Sequence, residues 1–120
     1  MRYILAAASV LALTTAALAD PFAAVYGNTV TQTLPDGNKM TIYINADKTW
    51  EQHVGNATYK GIYAWKDDSH ACFTVTDPAP ANPATATTCH EIKDTHNVGD
   101  TWTQTLPDGR QMTLSITAGR

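Results

Sequence analysis

The run GNTVTQTLPDGNKMTIYI that begins at Gly27 returns as GDTWTQTLPDGRQMTLSI from Gly99, with Thr31–Gly37 repeated letter for letter as Thr103–Gly109. Each copy has the pattern of a β-hairpin. Pro35-Asp36-Gly37 and Pro107-Asp108-Gly109 stand between alternating segments. In such a turn Pro presets φ, Asp bonds its own backbone and Gly takes positive φ. A chain that uses one hairpin at both ends is constrained in architecture before any chemistry is considered.

Alternation continues between the copies. Met40, Ile42 and Ile44 fall on one face and Lys39, Thr41 and Tyr43 on the other; Trp50 and Val54 are inward in Thr49–Val54. Tyr59, Gly61, Tyr63 and Trp65 share a face, with Gly61 marking a bend or a close backbone approach. Ala71, Phe73 and Val75 define a fifth strand over His70–Thr76, and Thr85–Ile92 reads as a sixth. In the second hairpin Trp102, Leu106, Met112, Leu114 and Ile116 point inward. Asp20–Tyr26 reads as a lead-in, and the proline-bearing Asp77–Ala84 as a surface loop. No stretch has a helical period. The expectation is an all-β, antiparallel up-and-down meander of about eight strands, closed into a small barrel so that no edge is exposed, with the two similar hairpins as neighbours.

Met1–Ala19 has the three parts of a secretory leader: Arg2, an apolar run from Ile4 to Leu18, and Ala17-Leu18-Ala19 before Asp20. Ser9, Thr14 and Thr15 interrupt the run, which is short of the about 20 residues that span a bilayer. Residues 1–19 are therefore read as a cleaved signal peptide and 20–120 as a single β domain, periplasmic or extracellular, with no membrane span. Loss of Arg2 leaves seven Lys/Arg against eleven Asp/Glu, scattered without a run. Phosphate binding needs clustered basic residues, so nucleic acid is excluded as a partner.

Cys72 and Cys89 are the only cysteines, and in an exported chain an even pair reads first as a disulfide. The rival is a two-Cys, two-His metal set with His70 and His90, but zinc-type ligand spacings are absent. His53, His90 and His96 lie near Glu51, Glu91 and Asp94 in sequence. His90-Glu91 followed by His96 has the wrong gap for H-E-x-x-H and no helix to carry it; these histidines read as solvent-exposed, with a copper or zinc site on His90 and His96 as the alternative. Ser69 and Ser115 lack a nucleophile-elbow context, and Asp67-Asp68 reads as a solvated turn. No cofactor motif stands in the chain.

Trp50, Tyr59, Tyr63, Trp65 and Trp102 could line the mouth of a ligand pocket, although a small domain needs most of its aromatics as core. Gln32 and Gln104 occupy inward positions, either paired with each other or with water, or placed as polar contacts for a ligand. Thr29, Thr31 and Thr33, echoed by Thr101, Thr103 and Thr105, put rows of hydroxyls on the outer face, as exposed strands commonly do.

The leader, Gly27-Asn28-Thr29, Asn45-Ala46-Asp47-Lys48-Thr49-Trp50, Gly61-Ile62-Tyr63, the Cys72 and Cys89 pair and Val98-Gly99-Asp100-Thr101-Trp102-Thr103 together resemble short, exported proteobacterial all-β proteins of unassigned function. In size and strand arrangement the chain is more loosely similar to lipocalin-like barrels and to periplasmic protease inhibitors. The resemblance implies no catalytic residues. The expected function is a non-enzymatic, exported β-barrel binding a small apolar ligand or a protein such as a protease; the alternative is a periplasmic copper/zinc-binding protein or a small hydrolase using His90, Glu91 and His96.

Overall fold

The computed structural model describes residues 20–120, so the secretory leader read over residues 1–19 lies outside the described residues. The fold is one antiparallel sheet of eight strands: β1 (Thr29–Thr33), β2 (Lys39–Ile44), β3 (Thr49–Val54), β4 (Ala57–Trp65), β5 (His70–Asp77), β6 (Thr87–Glu91), β7 (Thr101–Thr105) and β8 (Gln111–Thr117). A short 3-10 turn, Pro83–Thr85, is the helical element of the proline-rich loop, with Asn82 Oδ1 accepting the Ala84 N–H at 3.0 Å.

The two similar hairpins form with the same register. Val30 faces Ile42 in β1/β2, and Trp102 faces Leu114 in β7/β8. Their turns also match. Gly37 and Gly109 take φ of +87° and +86°, a region open to glycine but strained for other residues. Gly61 serves a different need. A Cβ there would lie 1.9 Å from the Thr74 carbonyl oxygen and 2.7 Å from the Trp50 ring, so only glycine lets β4 approach β5 at the register shift beside Lys60.

The strand order is β6-β5-β4-β3-β2-β1-β8-β7. The hairpins are neighbours through β1/β8, as expected, but the barrel is not closed: the sheet curls through 245° into an open half-barrel. Closure would require β6 to pair with β7. Instead the connector between them is tied to the neighbouring strands on each side. The Ile92 N–H donates to the Ser69 carbonyl at 2.6 Å, and the Gly99 N–H donates to the Ile116 carbonyl at 2.9 Å. Ile92 and Trp102 rest against the core, and the His96 ring stacks on Trp102 at 3.6 Å between centroids. A packed connector thus takes the place of a ladder at one end of the seam.

The second reason is inside. Asp20–Tyr26 is not a loose lead-in but a turned segment that packs into the concave face. Phe22 and Val25 are buried with Val30, Ile42, Ile44, Trp50, Tyr63, Ala71, Met112, Leu114 and Ile116. The Phe22 ring lies 4.9 Å from Trp65, 5.5 Å from Tyr63 and 6.1 Å from Phe73. At roughly 1.5–3 kcal/mol for each large apolar side chain buried, this plug is a substantial share of a small domain's stability.

Candidate functional site

The concave face is the first place to look for a site, and its aromatics are committed to packing. Trp50 and Tyr63 are 5% and 3% exposed. Trp50 Nε1 donates to the Ile62 carbonyl at 2.9 Å, and the Tyr63 hydroxyl donates to the Asn45 carbonyl at 2.9 Å. The Tyr26 hydroxyl donates to the Asp20 carboxylate and lies 3.3 Å from that of Tyr63. Burial, then these hydrogen bonds, raise the Tyr26 pKa above the ordinary phenol value, and burial pushes Tyr63 in the same direction. Tyr59, Trp65 and Trp102 are partly buried against the same cluster. Gln32 finds a partner other than Gln104: its Oε1 accepts from Gln52 Nε2 at 3.0 Å.

Depressions of about 340 and 350 Å³ lie on the surface of the described residues. One is lined by Leu34, Met40 and Val54 at the end of the first hairpin, the other by Trp50, Gly61 and Ile62. Of the seven residues read from sequence as ligand contacts, only Trp50 lines either one.

Cys72 and Cys89 form the expected disulfide, Sγ–Sγ 2.09 Å. The pair joins β5 to β6 at directly opposed positions. The Ile92 to Ser69 and Val75 to Ala86 bonds place the ladder bonds of β6 on its even-numbered residues. Cys89 therefore sits at a non-hydrogen-bonded position, where opposed Cα atoms come closest, and the two are 3.9 Å apart.

The titratable residues disperse. Strand alternation sends His90 to the inner face, where it lies 5.9 Å from the Phe73 ring, and Glu91 to the outer face opposite His70. Desolvation on that side lowers the His90 pKa although the residue as a whole is exposed. His96 is taken up by Trp102. His53 lies 3.4 Å from Glu51 and 3.2 Å from the Thr58 hydroxyl. Among the described residues no three metal donors gather. Asp67 is a turn cap: it accepts the Ser69 N–H at 2.9 Å and contacts His70 Nδ1 at 2.8 Å, which pulls its carboxyl down to about 2.

No family model, curated protein or solved structure matches the chain. What remains after the interior and the titratable groups are accounted for is backbone: the two edges of the open seam. On β6 the residues whose N–H and C=O point outward are Thr87, Cys89 and Glu91, all exposed. On β7 the Leu106 N–H donates to Arg110 at 2.7 Å and Ile116 donates to Asp100 at 3.2 Å, which turns the even-numbered residues toward β8. The backbone groups of Thr101, Thr103 and Thr105 then face away from the sheet, and all three residues are exposed.

In the sequence these threonines read as hydroxyl rows on a closed barrel, whereas the sheet is open beside them. Phe22, Val25 and Tyr26 stand at three- and four-residue spacing in the lead-in, the available sign of a packed turn.

Proposed function

We propose that this chain is an exported, non-enzymatic binding module for a protein partner. The observation that carries the reading is the occupied interior. The concave face that would hold a small apolar ligand is filled by the chain's own Phe22 and Val25. An open sheet edge, by contrast, is a template for another strand. The disulfide supports an oxidising destination, and with both cysteines joined no thiol is free for nucleophilic chemistry. His90 and Glu91, on opposite faces, do not offer the convergent acid and base that a hydrolase needs.

Native mass spectrometry of protein isolated from the periplasm or medium tests the reading. The expected result is a chain starting at Asp20, two mass units lighter than its reduced form, carrying a second polypeptide. A retained small apolar molecule in place of a polypeptide would return the function to ligand carriage and overturn the proposal.

A further inference from the structure

We infer that the free edge of β7 accepts an antiparallel strand from a partner protein, one that alternates small polar with large aliphatic residues and ends in a basic residue. The inference rests on the protein-binding reading above. Its warrant is that the chain already contains the complex it describes. β1, Thr-Val-Thr-Gln-Thr, and β7, Thr-Trp-Thr-Gln-Thr, differ at one position. The Leu34 N–H donates to Asn38 at 2.8 Å, so β1 turns its even-numbered residues to β2 and its odd-numbered residues outward, as β7 does with β8. At β1 that outward edge is filled by β8, with Thr29, Thr31 and Thr33 facing Thr117, Ser115 and Thr113. The equivalent Thr101, Thr103 and Thr105 face no strand among the described residues.

The occupant of the β1 edge therefore specifies the occupant of the β7 edge. β8 sets Ile116 and Leu114 opposite Val30 and Gln32 on the inner face. A partner strand would set aliphatic residues opposite Trp102 and Gln104. Beyond β8, the Gly119 N–H donates to Asn28 Oδ1 at 3.0 Å, and Arg120 Nε donates to the Asn28 carbonyl at 3.1 Å. The residue corresponding to Asn28 in the second hairpin is Asp100, in Gly99-Asp100-Thr101. The Asp100 carbonyl is taken by the Ile116 N–H at 3.2 Å, and its Oδ2 accepts the Asn97 N–H at 2.8 Å and lies 4.0 Å from His96 Nδ1. What Asp100 offers beyond Asn28 is its negative charge, which complements a basic residue following the partner strand in a chain whose own net charge is −3. A second copy fits less well. Its β2 and β8 are paired on both edges, and of its two edge strands β6 offers Thr88 and His90 and β7 offers Trp102 and Gln104, neither pair aliphatic, to the inner face.

The probe is a synthetic peptide with the sequence of residues 110–120, added to the full isotopically labelled protein with its disulfide intact and followed by amide hydrogen exchange. Exchange at Thr101, Thr103 and Thr105 should slow at least tenfold on saturation, with Thr87, Cys89 and Glu91 unchanged, and a peptide of the same composition with the alternation scrambled should have no effect. Replacing the peptide's final Arg with Ala should weaken binding several-fold at low salt. T103P removes one edge N–H while leaving the bonds to β8, so it should keep the fold and lose peptide protection at Thr101 and Thr105. Should T103P fail to fold, the pattern of protection on the unaltered protein decides. Protection at β6 alone, no protection at millimolar peptide, or β7 amides already protected in a form that dissociates on dilution, which is the signature of self-pairing, would each overturn the inference. A captured partner protein that binds T103P undiminished removes this edge as the site but leaves the protein-binding reading standing.

Discussion

The two hairpins share a turn, a register and most of their letters, yet they live in different places. β1 lies inside the sheet between β2 and β8, and its burial runs from half-buried to buried, with Val30 at 5% exposure. β7 lies at the edge, and its three threonines are exposed while Trp102 and Gln104 are only half-buried. Gln32 has a side-chain partner in Gln52, which reaches it across β2 from β3. Strand sequence sets the hairpin; position in the sheet sets what the hairpin's backbone still has to offer.

The sharpest way to break this contrast is proline at equivalent threonines. In T31P an N–H inside the sheet is lost. The missing bond is worth about 1 kcal/mol and the carbonyl left unpaired on β8 up to about 3 kcal/mol more, so the cost should approach about 4 kcal/mol, enough to unfold much of a marginal domain. In T103P the N–H faces the free edge, and the cost should stay below about 1 kcal/mol. Urea melts of the two variants measure the difference. Equal losses would mean that β7 is not an edge.

The two edges can also be set against each other. β6 is stapled to β5 by the disulfide, whereas β7 is held by its ladder and by the His96–Trp102 stack. The cysteines are 17 residues apart, and closing a loop of that size stabilises by roughly 3 kcal/mol in the chain-entropy model. C72S/C89S should therefore lower Tm by more than about ten degrees. Exchange should rise first at Phe73, Thr88 and the rest of the β5/β6 ladder, leaving β7/β8 protected. Thiols that alkylate without reductant in the unaltered protein would remove the staple from the comparison.

How much of this was legible beforehand follows the physics of each feature. Period-two alternation named the inward set, and Trp50, Tyr63, Met112, Leu114 and Ile116 are buried as it requires. Gly61 was readable because a glycine inside an aromatic strand has few uses other than close approach. The pairing of Cys72 with Cys89 was readable because they are the only two cysteines in the sequence. Closure was not, because strand propensity says nothing about whether the two terminal edges meet. The same limit hid the candidate site: Thr101, Thr103 and Thr105 act through backbone groups whose freedom depends on which strand is absent beside them. The role of Phe22 had one sign, its three- and four-residue spacing to Val25 and Tyr26, in a run too short to stand out against the strand pattern that follows.

Where the two copies should behave alike is the turn, since its strain is local. Gly37 and Gly109 have nearly the same positive φ, and an added Cβ at either meets nothing within 4 Å. G37V and G109V should each cost about 1–2 kcal/mol, from backbone strain and not from collision. Matched thermal melts give the test. A difference of more than about 1 kcal/mol between them would show that sheet position reaches the turn after all.

The smallest expected difference is electrostatic and lies two residues beyond each turn's Asp. Asp36 accepts the Asn38 N–H and side-chain amide, both at 2.9 Å. Asp108 accepts the Arg110 N–H at 3.0 Å and its guanidinium Nε at 2.7 Å. The Arg110 backbone bond first, and then the guanidinium, hold the Asp108 carboxyl below the ordinary value. A carboxylate whose folded pKa is depressed contributes stability that is present above its unfolded pKa, about 4, and lost as pH falls through the lower folded value. Because Asp108 is exposed, this contribution is small and screened by salt. R110N copies Asn38 into the second turn and removes the second cause but not the first. The carboxyl carbon resonance of Asp108, followed by NMR from neutral to acid pH, should show its midpoint rising part of the way toward that of a free carboxylate. A midpoint unmoved by R110N would assign the whole depression to the backbone bond.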